Sequence, residues 1–187
     1  MKPLYHLLLP FFIIPFTSLL LGCNTTPTVS IDIADVEESI SMPEEMPSDF
    51  NFLIKYGVGA LNEINTFTDT YTKDLIEEGT IKTNLKLTNK EMQTIYQEMK
   101  NIELLSTIQS IYYVSDKGEV VTIQPSSGYY LEMQLDGELF KAYWMSDIYD
   151  EEIRSMLGKF VHQFLHDGII SQKKEYIKLP EAHGGYL

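Results

Sequence analysis

Residues 129–144 constrain the fold of this chain more than any other stretch. Asp136-Gly137 is a dipeptide of the type I′ turn, which needs positive φ at both central residues. It is flanked by two apolar and aromatic runs, Tyr129–Leu135 and Glu138–Trp144. A two-residue loop fixes the pairing register, so Met133 should face Phe140, Leu131 should face Ala142 and Tyr129 should face Trp144. On the other side Glu132 should meet Lys141 and Tyr130 should meet Tyr143. One face is then apolar. The other carries an ion pair and an aromatic pair, so a β-sheet with one buried side is required.

The rest of the chain from Phe50 adds strands and helices around this hairpin. Phe52, Ile54 and Tyr56 alternate with Leu53, Lys55 and Gly57, a strand pattern ended by Gly57 and Gly59. Ile64–Thr72 is dense in Thr and aromatics, and Ile81, Thr83, Leu85 and Leu87 alternate again. Thr88 and Glu91 have capping-box spacing. Behind them Met92, Ile95, Tyr96, Met99 and Ile102 recur at helical intervals. Residues 111–124 read as two short strands joined at Asp116-Lys117-Gly118, or as an irregular insertion. A second helix is expected from Asp150 to His166, with acids at its positive end, a core face including Ile153, Leu157, Phe160, Val161, Phe164 and Leu165, and Gly168 as its stop. Residues 173–187 read as irregular. The order strands, helix, strands, helix indicates an α+β fold, an antiparallel sheet with two helices packed on one face.

Charge divides the chain. The formal net charge is −13. Between Asn24 and Phe50 lie Asp32, Asp35, Glu37, Glu38, Glu44, Glu45 and Asp49, with no Lys or Arg and with Pro27, Pro43 and Pro47. So polar a segment reads as a flexible, self-repelling tether over 23–49, ahead of a single domain at 50–187. The acidic balance excludes nucleic acid as a partner, because neutralising phosphate takes clustered Lys and Arg.

The start of the chain gives an address. Lys2 is followed by an apolar run from Leu4 to Leu21, and small Gly22 precedes Cys23, the lone cysteine. That order is a secretory signal. Pro10 and Pro15, and the lack of a basic cluster after the run, oppose a transmembrane helix. Leu20-Leu21-Gly22-Cys23 resembles the lipobox of bacterial lipoprotein precursors. The resemblance implies diacylglycerol on the Cys23 thiol, recognition of Leu20, Leu21 and Gly22 by signal peptidase, and cleavage before Cys23. Two acyl chains make a stable anchor where one does not. Residues 1–22 are then the signal peptide, and the membrane is a partner through Cys23. A lone cysteine forms no internal disulfide. Richness in Ile, Lys, Asn and Tyr points to an AT-rich genome and a Gram-positive cell.

Catalytic motifs are thin. His162 and His166 are four apart, a spacing at which both could face one metal ion, but Gln163 stands where a zinc protease has its glutamate. Ser171-Gln172-Lys173-Lys174 matches the Ser-x-x-Lys string of penicillin-recognising enzymes without their other motifs. Ser126-Ser127-Gly128 lacks the flanking glycine of a nucleophile elbow, and His183 sits in a glycine-flanked tail. No phosphate loop, dinucleotide fingerprint or Ca²⁺ loop is present, so no cofactor is called for.

Two runs are unusual. One is Tyr56-Gly57-Val58-Gly59-Ala60 with Ile64-Asn65-Thr66-Phe67 and Tyr71-Thr72-Lys73-Asp74. The other is Lys178–Leu187, KLPEAHGGYL. Together with the lipobox they resemble a family of uncharacterised lipoproteins from Bacillus-like Gram-positive bacteria. The resemblance covers most of 50–187. It implies the same membrane address and brings no activity with it. The expectation is a lipid-anchored extracytoplasmic domain without catalysis, binding an envelope protein or a small ligand, with Tyr130 and Tyr143 as its first candidate surface. The rival expectations are a cell-envelope hydrolase and an inhibitor or immunity-type lipoprotein acting on a basic secreted protein.

Overall fold

A computed structural model describes residues 29–115 and 127–186. Seven strands form one sheet: β1 (Val29–Asp32), β2 (Asn51–Tyr56), β3 (Asn62–Asn65), β4 (Thr70–Asp74), β5 (Thr80–Asn84), β6 (Gly128–Leu135) and β7 (Glu138–Met145). Their order across the sheet is β1-β7-β6-β2-β3-β4-β5. The helices are α1 (Asn89–Asn101), α2 (Leu104–Ser115), α3 (Glu151–Gly158), which runs on as a π-helical segment (Lys159–Asp167), and α4 (Lys174–Ile177). The fold is α+β.

The central hairpin has the register its turn dictates. Met133 pairs with Phe140, Leu131 with Ala142, Tyr129 with Trp144, Glu132 with Lys141 and Tyr130 with Tyr143. Asp136 and Gly137 both take positive φ, 50° and 83°. The turn gains an outside brace, since the backbone amides of Asp136 and Gly137 donate to the Asp49 carboxylate at 3.1 and 2.7 Å. Burial alone would raise the Asp49 pKa, but the Gly137 and Asp136 amides outweigh it and hold it below its ordinary value. A carboxyl depressed in the folded state stabilises above its unfolded pKa of about 4 and loses that contribution as pH falls through the folded value. Asp49→Ala should therefore cost about 1 kcal/mol at pH 7, screening by solvent included. In paired urea melts the gap from the parent protein should shrink as the solution is acidified. A gap independent of pH would show that the brace is not electrostatic.

Along β2, β6 and β7 the buried and less buried residues alternate. Phe52, Ile54, Ile64, Tyr71, Leu131 and Met133 enter one hydrophobic core with Ile95, Tyr96, Met99, Leu104, Leu105, Ile108, Leu157, Val161 and Leu165 from the helices. Each fully buried side chain of this size contributes about 1.5–3 kcal/mol. The other positions of the strands carry Lys55 and Lys82, both on Glu63, and the pair Lys141–Glu132.

Four expectations need correction. First, the sheet is not wholly antiparallel, because β1 pairs parallel with β7. Second, residues 29–49 are not a free tether. Ile33 is fully buried, Ile31, Ile40, Met42 and Met46 pack on the core, and the acidic residues of the segment other than Asp49 are exposed. The Gln109 side-chain amide donates to the carbonyls of Val36 and Glu38 and accepts from the Ile40 amide. The Tyr96 hydroxyl donates to the Pro43 carbonyl. An aliphatic residue every few positions is enough for a segment that docks on a core built elsewhere, although it could not fold alone. Third, there are more than two helices. Where short strands or an irregular insertion are expected over 111–124, residues 111–115 are the end of α2, and residues 116–126 lie outside those described, as do 1–28. Leu104, Leu105 and Ile108 are buried at helical spacing. Core packing there overrides the β-bias of the Ile, Tyr and Val that follow. Fourth, the C-terminal region is ordered into α4 and a latch, described below.

The helix expected at 150–166 starts as read, with the Asp150 carboxylate accepting from the amides of Glu152 and Ile153. It then widens, and the Gly168 amide closes on the Gln163 carbonyl at 3.0 Å. Gly168 has φ −76°, so its role is not a left-handed stop. A Cβ there would lie 2.6 Å from the Phe164 carbonyl oxygen, and only glycine fits. Among the described residues no helix is long and apolar enough to cross a membrane.

Candidate functional site

The two unusual sequence runs meet in space. After β4 the chain turns at Ile76, a β-branched residue at φ +68°. That conformation costs on the order of 1–3 kcal/mol and persists only where its surroundings enforce it. Here the Ile76 amide donates to Asp74 Oδ1 at 2.9 Å, and Ile76 forms a parallel bridge with His183. The His183 amide donates to the Leu75 carbonyl, and the Glu77 amide to the His183 carbonyl. Gly184 takes φ +91°, with Glu77 where a Cβ would stand. The tail from Lys178 is thus strapped across the end of β4.

Beneath the strap lie two charged residues that are almost completely buried, Lys73 at 7% and Asp74 at 9% exposure. Buried charge is costly unless satisfied, and the strap supplies the partners. Lys73 Nζ donates to the Pro180 carbonyl at 2.8 Å, lies 3.9 Å from the Glu181 carboxylate and stands over the Tyr176 ring at 4.8 Å. Asp74 Oδ2 accepts from the Tyr186 hydroxyl. That bond, with a smaller effect of desolvation, raises the Tyr186 pKa to about 12. The Asp74 amide donates to Asn62 Oδ1. Asn62 crowds Gly57, where a Cβ would come within 2.9 Å of its side chain at φ +91°. This is why the first run needs its glycine.

An aromatic–histidine cluster continues the site. The Tyr56 and Tyr71 hydroxyls share a buried hydrogen bond of 2.8 Å. Burial raises both phenols, Tyr56 furthest, so both stay protonated. His162 and His166 both meet the Tyr56 ring edge-on, at 5.8 and 5.9 Å. His162 Nε2 is 2.9 Å from the Tyr129 hydroxyl, and His166 lies between Tyr176 at 3.2 Å and Asp167 at 2.8 Å. Partial desolvation and then the neighbouring His166 lower the His162 pKa. The histidines are brought together as their spacing requires. Among the described residues, however, no group of three or more His, Cys, Asp or Glu side chains converges on a metal-sized space.

The other sequence candidates are spent on structure. The Ser171 hydroxyl donates to the Asp167 carbonyl, closing the helix end. Ser127 bridges Val58, and Ser126 lies outside the described residues. His183 acts through its backbone. The Tyr130 hydroxyl donates to Glu132, and that of Tyr143, half exposed, donates to the Met145 sulfur. Cys23, Leu20, Leu21 and Gly22 lie outside the described residues.

No protein-family model, no curated protein and no solved structure matches this chain.

One feature of the surface escaped the sequence. Between α1 and the α3–π helix runs an open groove of about 880 Å³. Ile102, Met156, Phe160 and Phe164 are its apolar lining, with the two phenyl rings stacked at 5.9 Å. Glu98, Glu151 and Glu152 stand along it with Lys159. The signal was present: an apolar arc holding Met156 as well as Leu157, Phe160, Val161, Phe164 and Leu165 is wider than one packing face uses.

Proposed function

We propose that this protein is a lipid-anchored extracytoplasmic binding module without catalysis of its own. The observation that carries this reading is the contrast between its two polar features. The charged and aromatic cluster at the C-terminal strap is satisfied from within the chain and holds a shape, while the groove between α1 and α3 keeps apolar surface open to solvent. Open apolar surface framed by charge is what a recognition site offers. In this reading the helices cover one sheet face and leave the Lys55–Glu63–Lys82 face to solvent, as the alternation along β2, β6 and β7 supports.

The address rests on the chain's start. Acylated at Cys23, the domain is held close to the membrane. Six residue steps separate Cys23 from the first residue of β1, and they span at most about 20 Å. The expected result for Cys23→Ala is loss of a clickable fatty-acid label and of the processed membrane-bound form. Full labelling of the alanine variant would sink the anchor.

The acidic edge of the groove favours one of the rival readings in particular, an inhibitor or immunity-type lipoprotein that captures a basic protein. Steep weakening of capture with salt is its expected signature.

A further inference from the structure

We infer that the groove between α1 and α3 is the seat for a short basic amphipathic helix of a partner protein. This deepens the binding reading by naming its partner chemistry. Met156, Phe160 and Phe164 recur every fourth residue along one wall, and Ile102 with Glu98 one turn before it forms the other. Phe160 is buried and makes the floor, whereas Ile102, Met156 and Phe164 remain half-buried. A row of apolar side chains at helical spacing, faced by Ile102 across the groove, suits a helix that presents residues i, i+3, i+4 and i+7. The trough from Met156 to Phe164 is at most about 12 Å long, about two turns of a guest helix. Methionine on its wall adapts to differing anchors.

Charge decides which helix. Three carboxylates line the groove against one ammonium, that of Lys159. Glu151 is 3.9 Å from Arg154, but Glu98 and Glu152 have no basic partner among the described residues. A guest with Lys or Arg flanking its apolar stripe satisfies them. A second copy of this chain, at net charge −13, would bring acid to acid and is disfavoured. A small apolar ligand would leave the carboxylates unanswered.

The test uses the full chain in zwitterionic nanodiscs, with empty nanodiscs subtracted. The probes are a labelled Leu/Lys helix of about 14 residues and its Leu/Glu counterpart, followed by fluorescence anisotropy. The expected result is binding of the Leu/Lys probe alone. Affinity should fall about tenfold or more in Glu98→Lys/Glu152→Lys and by about threefold or more in Met156→Gln, which leaves charge unchanged. The control Glu78→Lys/Glu175→Lys, of the same net charge and away from the groove, should stay within about twofold of the parent. Equal weakening by the control pair would mean attraction to the bulk charge and would overturn the proposal. So would binding of the Leu/Glu probe, indifference to Met156→Gln, or no binding at all. Fatty-acid labelling at Cys23 is read separately, so a failure at the groove is distinguishable from a failure of the anchor.

Discussion

Removing residues 178–187 should lower the unfolding midpoint by about 6–12 °C, a loss of about 3 kcal/mol in a chain of this size. This loss is smaller than the cost of stranding a buried ion. Once the strap is gone Lys73 and Asp74 gain water rather than remain buried and unpaired. What is lost is the packing of Leu179 on the core, the two bonds from Lys73 and Tyr186, and the backbone bridge at Ile76 and His183. The strain at Ile76 would also lose the partner that enforces it. Lys73→Met is the informative contrast. It keeps the stem over Tyr176, deletes the ammonium, and leaves the Pro180 carbonyl at an exposed position where water can reach it. The Glu181 carboxylate that Lys73 faces is 89% exposed, so no charge is left buried when the ammonium goes, and the midpoint should move by about 2 °C or less. If Lys73→Met were as damaging as the truncation, the strap would be an electrostatic lock rather than a cover. Calorimetry of the three proteins at one pH decides it.

Local chemistry made part of this fold legible. A two-residue turn has one register, so Asp136-Gly137 set five cross-strand pairs at once. Thr88 and Glu91 form the reciprocal cap that their spacing allows, the Glu91 amide donating to the Thr88 hydroxyl and the Thr88 amide to the Glu91 carboxylate. The acids expected at the positive end of α3 are there, and Asp150 among them caps it. Elements that depend on a distant partner were opaque. Nothing local marks Val29–Asp32 as a strand until the free edge of β7 is offered to it. Nothing within residues 104–115 says helix rather than strand until Leu104, Leu105 and Ile108 have a core to enter.

The candidate site divides along the same line. Its residues were noticed in sequence as two unusual runs, and the histidine pair by its spacing. That the runs touch was not legible, because the contact between Lys73 and Pro180 joins residues 107 apart. The groove was hidden differently. Phe160 and Phe164 read as core, and the stripe that assigns them to it does not tell which side of the helix is left uncovered.

The second large effect concerns the segment that composition marked as a tether. Ile33→Ala should cost about 2–4 kcal/mol by cavity formation, but the cost falls on docking of the segment before it falls on the domain. Ile33 and Gln109 together seat residues 29–40: the first by burial, the second by three hydrogen bonds to Val36, Glu38 and Ile40. Once the segment is released its carboxylates are hydrated and its chain is free, so further damage to its contacts costs nothing. Destabilisation should therefore saturate. Gln109→Leu alone should approach the effect of Ile33→Ala, and the double variant should fall short of the sum by about 1 kcal/mol or more, as coupled sites do. Amide exchange gives the spatial half of the argument. Protection should vanish over 29–40 in both single variants and persist in β2 and β6, the behaviour of a unit that opens locally. Strict additivity, or loss of protection throughout the sheet, would mean that the segment is integral to the core. No change in exchange over 29–40 would mean that it was never docked.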